Sequence, residues 1–318
     1  MLNITRRDFL GFSAKLAALM KLGTSAIPKI AGALESLGGE TPPVLWLQAQ
    51  SCSGCSVSLL NSEDPGPAEL LTRYLSLKFH STLSTATGDV GMEVIRRTMS
   101  RDAAVGGSEG QKTDNGYVLV VEGSIPEGMP EACVMGKEPL TKLVSRAAIN
   151  AKAVIAVGTC ASYGGIPAAE NNPTGAVSVP TFLRNQGIAK TMITLPGCPA
   201  HPDWIVGTLV HLLEFGIPHR DNESRPVMFF SRLVHEQCPR FADYEREKFA
   251  KAFSEEGCLF KLGCLGPNTY ADCTIRYWNS GTNSCIQANG PCIGCASEDF
   301  ARKASFPFYR KNEKNSGT

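Results

Sequence analysis

Two thiols two residues apart, Cys52 and Cys55 in Gln50-Ser51-Cys52-Ser53-Gly54-Cys55-Ser56, sit on one tight loop. A C-x2-C pair lets two thiolates reach the same metal or cluster, or closes a small disulfide. The cysteines that return to it from elsewhere decide between these. Two further thiols occupy similar surroundings: Cys160 in Gly158-Thr159-Cys160-Ala161-Ser162-Tyr163-Gly164-Gly165, and Cys198 in Pro196-Gly197-Cys198-Pro199.

The second half of the chain holds two more groups. His235 and Cys238, in H-x2-C spacing, precede Cys258 and Cys264. One imidazole and three thiolates suit zinc, or an iron–sulfur cluster in which histidine replaces one thiolate. Spacing alone does not choose between them. Cys273, Cys285, Cys292 and Cys295 form the other group. Structural zinc sites pair two short hooks. Here only Cys292-Ile293-Gly294-Cys295 is short, which favours a cluster. Eleven cysteines and one histidine thus fall into three sets of four, and only Cys133 is left over. A buried free thiol is the ordinary role of such a residue, and a redox-sensitive thiol the alternative. Three redox centres in one chain serve to pass single electrons along a line.

The elements that must position these groups show in the hydropathy pattern. Short apolar runs at Val44–Leu47, Tyr117–Val121, Ala153–Val157 and Thr191–Leu195 alternate with helix-like segments at Ala68–Leu75, Gly91–Met99, Pro139–Ala148 and Pro202–Phe215. Such alternation predicts an α/β fold, a doubly wound parallel sheet covered on both faces. Loops at the carboxyl ends of its strands line one crevice. Cys52, Cys55, Cys160 and Cys198 each follow such a run, so they can converge on a metal site. After Gly216 the alternation fades, and cysteine, glycine, proline and asparagine increase. Arg220–Pro226 reads as a linker or domain edge. The remainder reads as a loop-rich domain with short helices, the clearest at 241–254. The predicted organisation is 1–33, 43–216 and 217–310.

Residues 1–33 read as an export address. Thr5-Arg6-Arg7-Asp8-Phe9-Leu10 has the twin-arginine pattern, and Ala31-Gly32-Ala33 offers small residues for cleavage. The apolar stretch between them is interrupted by Lys15, Lys21 and Lys29, too often for a spanning helix. The twin-arginine route carries folded proteins, often with a cofactor in place, which shifts the cysteines from disulfides towards ligation. A periplasmic location is expected, with no transmembrane helix in the mature chain.

Composition narrows the classes further. The chain has 318 residues, 43% hydrophobic, with a net charge of +1. No global field steers it to nucleic acid or an anionic membrane. Charged residues make up only 19%, which suits a surface largely covered by a partner. The glycines of 158–165 contain neither G-x4-G-K-[ST] nor G-x-G-x2-G, so a nucleotide cradle is not expected.

Taken together, L-Q-A-Q-S-C-S-G-C, V-V-E-G-S-I-P, V-G-T-C-A-S-Y-G-G, L-P-G-C-P, H-E-Q-C-P-R and G-P-C-I-G-C make the chain resemble the small subunits of nickel–iron hydrogenases along nearly its whole length. The resemblance implies a flavodoxin-like domain followed by a small loop-rich iron–sulfur domain. An obligate large subunit would carry the nickel–iron site, and a periplasmic c-type cytochrome would be the electron carrier. By matching motif, Cys52, Cys55, Cys160 and Cys198 resemble the ligands of a proximal 4Fe–4S cluster. His235, Cys238, Cys258 and Cys264 resemble those of a distal 4Fe–4S cluster. Cys273, Cys292 and Cys295 resemble medial ligands.

One position departs from the common pattern. Most family members have proline where Cys285 stands, with a three-iron medial cluster. A fourth thiolate can hold a fourth iron, so a medial 4Fe–4S is expected, as in the nickel–iron–selenium branch. The chain itself offers no catalytic acid or base to assign. Glu122, in the loop beside the proximal cysteines, is left outside the ligand set as an acceptor, part of a proton route or an ordinary carboxylate. A rival reading is an exported non-enzymatic binding protein stabilised by zinc and disulfides. A second is a flavin carrier with accessory clusters, disfavoured because Cys52 and Cys55 stand where a phosphate cradle is needed.

Overall fold

A computed structural model describes residues 6–30, 43–63, 65–100 and 116–301. Five parallel strands form the central sheet: β1 (Pro43–Gln48), β2 (Ser76–His80), β3 (Val118–Glu122), β4 (Ala153–Val157) and β5 (Met192–Leu195). Their order is β2-β1-β3-β4-β5. This is the flavodoxin-like order, whose crevice opens where successive connections depart in opposite directions.

Sequence and position agree in β3 and β4, where every residue is buried. A central parallel strand is covered on both faces, so it reads as an unbroken apolar run. Alternate residues serve the two faces. Val44, Trp46, Val118, Val120, Ile155 and Val157 join one buried cluster, with Leu59 and the helix Pro202–Phe215. Leu45, Leu47, Leu119, Val121, Val154 and Ala156 join the other, against the helices Gly88–Met99, Leu140–Asn150 and Val179–Asn185. The first cluster continues into the second half through Trp204, Phe229, Val234, Leu259 and Ile286, and it takes in Cys55, Cys264 and Cys292.

Strand β2 was not expected. Ser76-Leu77-Lys78-Phe79-His80 carries an exposed lysine and pairs on one side only, with a register shift opposite Val44/Leu45. An edge strand of that kind lacks the apolar continuity that marks the others. The helix expected at Ala68–Leu75 is split into Pro67–Glu69 and a π-helical turn at Leu70–Tyr74.

The expected helix at 241–254 is also shorter, ending at Glu245. Beyond it the Cys258 amide donates to the Lys248 carbonyl at 2.8 Å, and the Ala250 amide to the Cys258 carbonyl at 3.0 Å. Docking the Cys258 loop takes the backbone groups that a continuing helix would use. Arg220–Pro226 is a closed turn rather than a loose linker. The two ends bridge, Arg225 pairs with Asp221 at 2.7 Å, and the Thr194 amide of β5 donates to the Ser224 carbonyl at 3.0 Å.

Arg6–Leu19 is a helix in the expected address segment. Leu16, Ala17, Met20 and Ile30 are buried in the first core cluster, and Lys21 pairs with the buried Asp272 at 3.2 Å. Thr5, the residues 31–33 and the polar tail 311–318 lie outside the described residues. Among the described residues no helix is long and apolar enough to cross a membrane.

Candidate metal centres

Three strand ends bring the first four thiols together. Cys52 and Cys55 follow β1, Cys160 follows β4, and Cys198 follows β5. Burial pushes the Cys55 thiol well up, and Glu122, Cys160 and Cys198 add to that rise. Burial likewise carries Cys160 and Cys198 to about 11 each, Cys198 and Cys52 reinforcing the first and Cys295 and Cys52 the second. Thiols so crowded keep their protons in a metal-free chain. Bound cations invert that balance, because a coordinating thiol is deprotonated outright.

The backbone fits a bulky sulfur-ligated group. The Ala200 amide points at Cys55 Sγ from 3.5 Å. Gly158 has φ +86°, and a Cβ there would lie 2.5 Å from Cys55 Sγ. Gly165 has φ +53°, and a Cβ there would lie 2.8 Å from Cys160 Sγ. Both positions need glycine for conformation and for the close approach to sulfur.

Below this loop lies Glu122, the last residue of β3, only 2% exposed. Its carboxylate accepts from Trp46 Nε1 at 3.1 Å, Gln48 Nε2 at 3.3 Å, Ser51 Oγ at 3.0 Å, the Cys55 amide at 3.1 Å and the Ser56 amide at 3.3 Å. Ser56 Oγ also donates to it. His80 is fully buried and places Nε2 3.1 Å from Ser56 Oγ. Its Nδ1 accepts the Thr82 and Leu83 amides at 3.1 and 3.3 Å, which leaves the proton of the neutral ring on Nε2. Burial lowers the His80 pKa to about 4, against the pull of Glu122.

Cys273, Cys285, Cys292 and Cys295 form the middle group. Burial raises all four. Cys295 and Cys285 raise Cys273 further, and Cys285 does the same to Cys295, which reaches about 11. Cys285 is the exposed member. The Gly294 amide faces Cys292 Sγ at 3.4 Å. Thr274 Oγ1 and Ser284 Oγ, each beside one of these cysteines in sequence, are buried with no hydrogen-bond partner among the described residues. Acceptor-rich sulfur in the site would satisfy hydroxyls of this kind.

The last group lines a pocket bounded by His235, Cys238, Cys258 and Cys264, with Phe260, Pro267 and Ile286. The His235 ring packs edge-on against Phe241 and Tyr244, and burial lowers its pKa. A neutral imidazole so held can ligate. The Arg240 amide reaches Cys238 Sγ at 3.4 Å.

The groups adjoin in order. Burial raises the Cys295 thiol, and the neighbouring Cys198 backbone eases that rise. At the other end Cys264 raises Cys292, and the Leu265 amide donates to the Cys292 carbonyl at 2.7 Å. All twelve cysteines are free of disulfides. Four sulfurs on one zinc crowd to within about 4 Å of each other. Among the described residues no three His, Cys, Asp or Glu side chains form such a single-ion knot.

Comparison with known proteins places this arrangement. Residues 52–212 match the family model of the NADH ubiquinone oxidoreductase 20 Kd subunit, and residues 230–309 that of the C-terminal region of the NiFe/NiFeSe hydrogenase small subunit. The periplasmic NiFeSe hydrogenase small subunit of Desulfomicrobium baculatum is 39% identical, over 97% of this chain and 99% of its own. The chain belongs to the NiFe/NiFeSe hydrogenase small-subunit family.

The hydrogenase-2 small chain of Escherichia coli K12 is 38% identical over 93% of this chain and 77% of its own. The structure of the reduced, active NiFeSe hydrogenase of Desulfomicrobium baculatum superposes with a TM-score of 0.78, covering 86% of this chain and all of that one. As a hydrogenase small subunit, this protein is one part of an oxidoreductase whose other part is a large subunit.

Sequence reading had singled out these thiols by spacing. It missed the supports. His80 lies on the unexpected edge strand, and Ser56 and Trp46 carry no motif of their own. A carboxylate ending the apolar run Val118–Val121 was the one signal that Glu122 is deeply held. Cys133 packs partly buried beside the second core cluster, and burial raises its pKa.

Proposed function

We propose that this chain relays single electrons between the hydrogen-activating site of the large subunit and a periplasmic c-type cytochrome, through three 4Fe–4S clusters. Cys52, Cys55, Cys160 and Cys198 hold the proximal one. Cys273, Cys285, Cys292 and Cys295 hold the medial one, and His235, Cys238, Cys258 and Cys264 the distal one. The observation that carries the reading is the succession of the three groups, tied by the Thr159 hydroxyl to the Cys295 carbonyl and by the Leu265 amide to the Cys292 carbonyl.

When bound, such clusters accept and give up one electron at a time. The chain's share is ligation, orientation and a dry path. Peptide N–H groups at Cys55, Cys238 and Cys292 stabilise charge on sulfur. Glu122 gathers the amides of the first loop, so Cys55 is fixed before any ligand arrives. The proximal end is the face that the large subunit buries, where Cys52 is exposed and Val57 and Ile166 show 56% and 50% of their surface. The cytochrome docks at the distal end, beside the half-buried His235. Cys285 in place of proline favours the nickel–iron–selenium branch. Export by the twin-arginine route delivers the chain folded, with residues 1–33 as its address.

Elemental analysis of the heterodimer, purified without oxygen, tests this reading. Iron matching acid-labile sulfide apart from the single iron of the nickel–iron site, without zinc, is expected. Zinc without sulfide refutes the relay.

A further inference from the structure

Thr159 stands beside a proposed ligand but ligates nothing itself. It is 1% exposed, in the helical turn Gly158–Tyr163 that follows β4, and both its polar groups are used. Its amide donates to the Gly197 carbonyl at 2.9 Å, and its Oγ1 accepts the Gly197 amide at 2.8 Å. The same hydroxyl donates its proton to the Cys295 carbonyl. One side chain therefore ties three stretches of chain: the Cys160 loop, the Cys198 loop and the Cys295 loop. Two belong to the proximal group and one to the medial group, and 136 residues of chain separate Thr159 from Cys295.

The geometry points to Thr159 as a positioning residue for electron transfer, a strap that fixes the Cys198 and Cys295 loops, which would hold the proximal and medial clusters, relative to each other. This rests on the cluster assignment above. Cys198 and Cys295 are the facing members of the two groups. Thr159 holds the first through its neighbour Gly197 and the second through its own carbonyl. In the step concerned, one electron leaves the proximal site and enters the medial site. The first is oxidised by one electron and the second reduced by one, and no proton moves.

The chemistry of the strap needs a hydroxyl. Serine keeps both the donor and the acceptor. Valine keeps the shape and loses both, leaving the Gly197 amide and the Cys295 carbonyl without partners in a buried place. The loops then lose their common anchor while every proposed ligand remains.

The test compares Thr159→Val and Thr159→Ser in the intact heterodimer. Iron and sulfide are counted first, and freeze-quenched EPR then follows electron arrival at the medial cluster after mixing with hydrogen. Thr159→Val is expected to keep wild-type iron and sulfide, to slow proximal-to-medial transfer several-fold and to weaken the magnetic coupling between the two clusters. Thr159→Ser is expected to restore both. Wild-type transfer and coupling in Thr159→Val overturn the strap, and so does loss of cluster iron in the serine variant, which would make Thr159 a folding residue. Wild-type protein without iron or sulfide overturns the cluster assignment itself.

Discussion

The backbone amide of Cys55 donates to the side chain of Glu122 at 3.1 Å, across 67 residues of chain. The carboxylate ends a strand and the thiol opens a helix, so one hydrogen bond joins the sheet to the cysteine loop. Glu122→Ala strands the Cys55 and Ser56 amides, Trp46 Nε1 and the Ser51 and Ser56 hydroxyls in a buried place. Each unsatisfied group costs about 1–3 kcal/mol. Glu122→Ala should lower the denaturation midpoint and empty the proximal site of iron. Glu122→Gln keeps one acceptor oxygen and should lose less of both.

His80 makes stability depend on pH. Its folded pKa is about 4, against 6.5 for an ordinary histidine. Between these values the unfolded chain binds more protons, so stability rises with pH. The contribution is complete above pH 6.5 and is lost as pH falls towards 4, to a total of roughly 3 kcal/mol. Urea midpoints taken across this window should fall with acid in the wild type. In His80→Gln the slope should flatten. An unchanged slope would place the acid sensitivity elsewhere.

Gly158 and Gly187 separate backbone strain from crowding. Both have positive φ, +86° and +68°, but at Gly158 a Cβ would meet a thiol 2.5 Å away, while a Cβ at Gly187 would meet no described atom within 4 Å. Alanine in the left-handed region costs about 1–2 kcal/mol at either place. Both variants should lose that stability, and only Gly158→Ala should also lose proximal iron. Equal iron in the two variants contradicts the close packing of Gly158 on Cys55.

Cys285 is the proposed fourth ligand of the medial cluster. Its thiol raises the pKa of Cys273 and Cys295, after the larger effect of burial, so it lies near those two. Cys285→Pro should leave the medial site with three irons, seen as a new three-iron EPR signal in the oxidised protein. Its potential should rise, because cluster type and charge set potential. No new signal would mean that Cys285 does not ligate.

The thiols were legible in the sequence because cysteine is rare and loop positions after apolar runs are easy to count. The central strands were legible for the same reason that they are central: burial on both faces leaves no polar residue to blur Val118–Val121 or Ala153–Val157. Among the described residues the strand Ser76–His80 pairs on one side alone, and its exposed lysine breaks the apolar run. The helix expected through 254 stops early because Lys248 and Ala250 give their backbone groups to Cys258, a partner that no local pattern announces. Glu122, His80 and Thr159 act by long-range hydrogen bonds, and spacing in one chain carries no sign of those.

Mössbauer spectroscopy of the iron-enriched heterodimer, oxidised and then reduced under hydrogen, tests the relay most directly. Three equal populations of four-iron clusters are predicted, one of them with a histidine-ligated iron, all taking up electrons from hydrogen. Iron confined to one or two of the three groups, or clusters that hydrogen leaves oxidised, would contradict it.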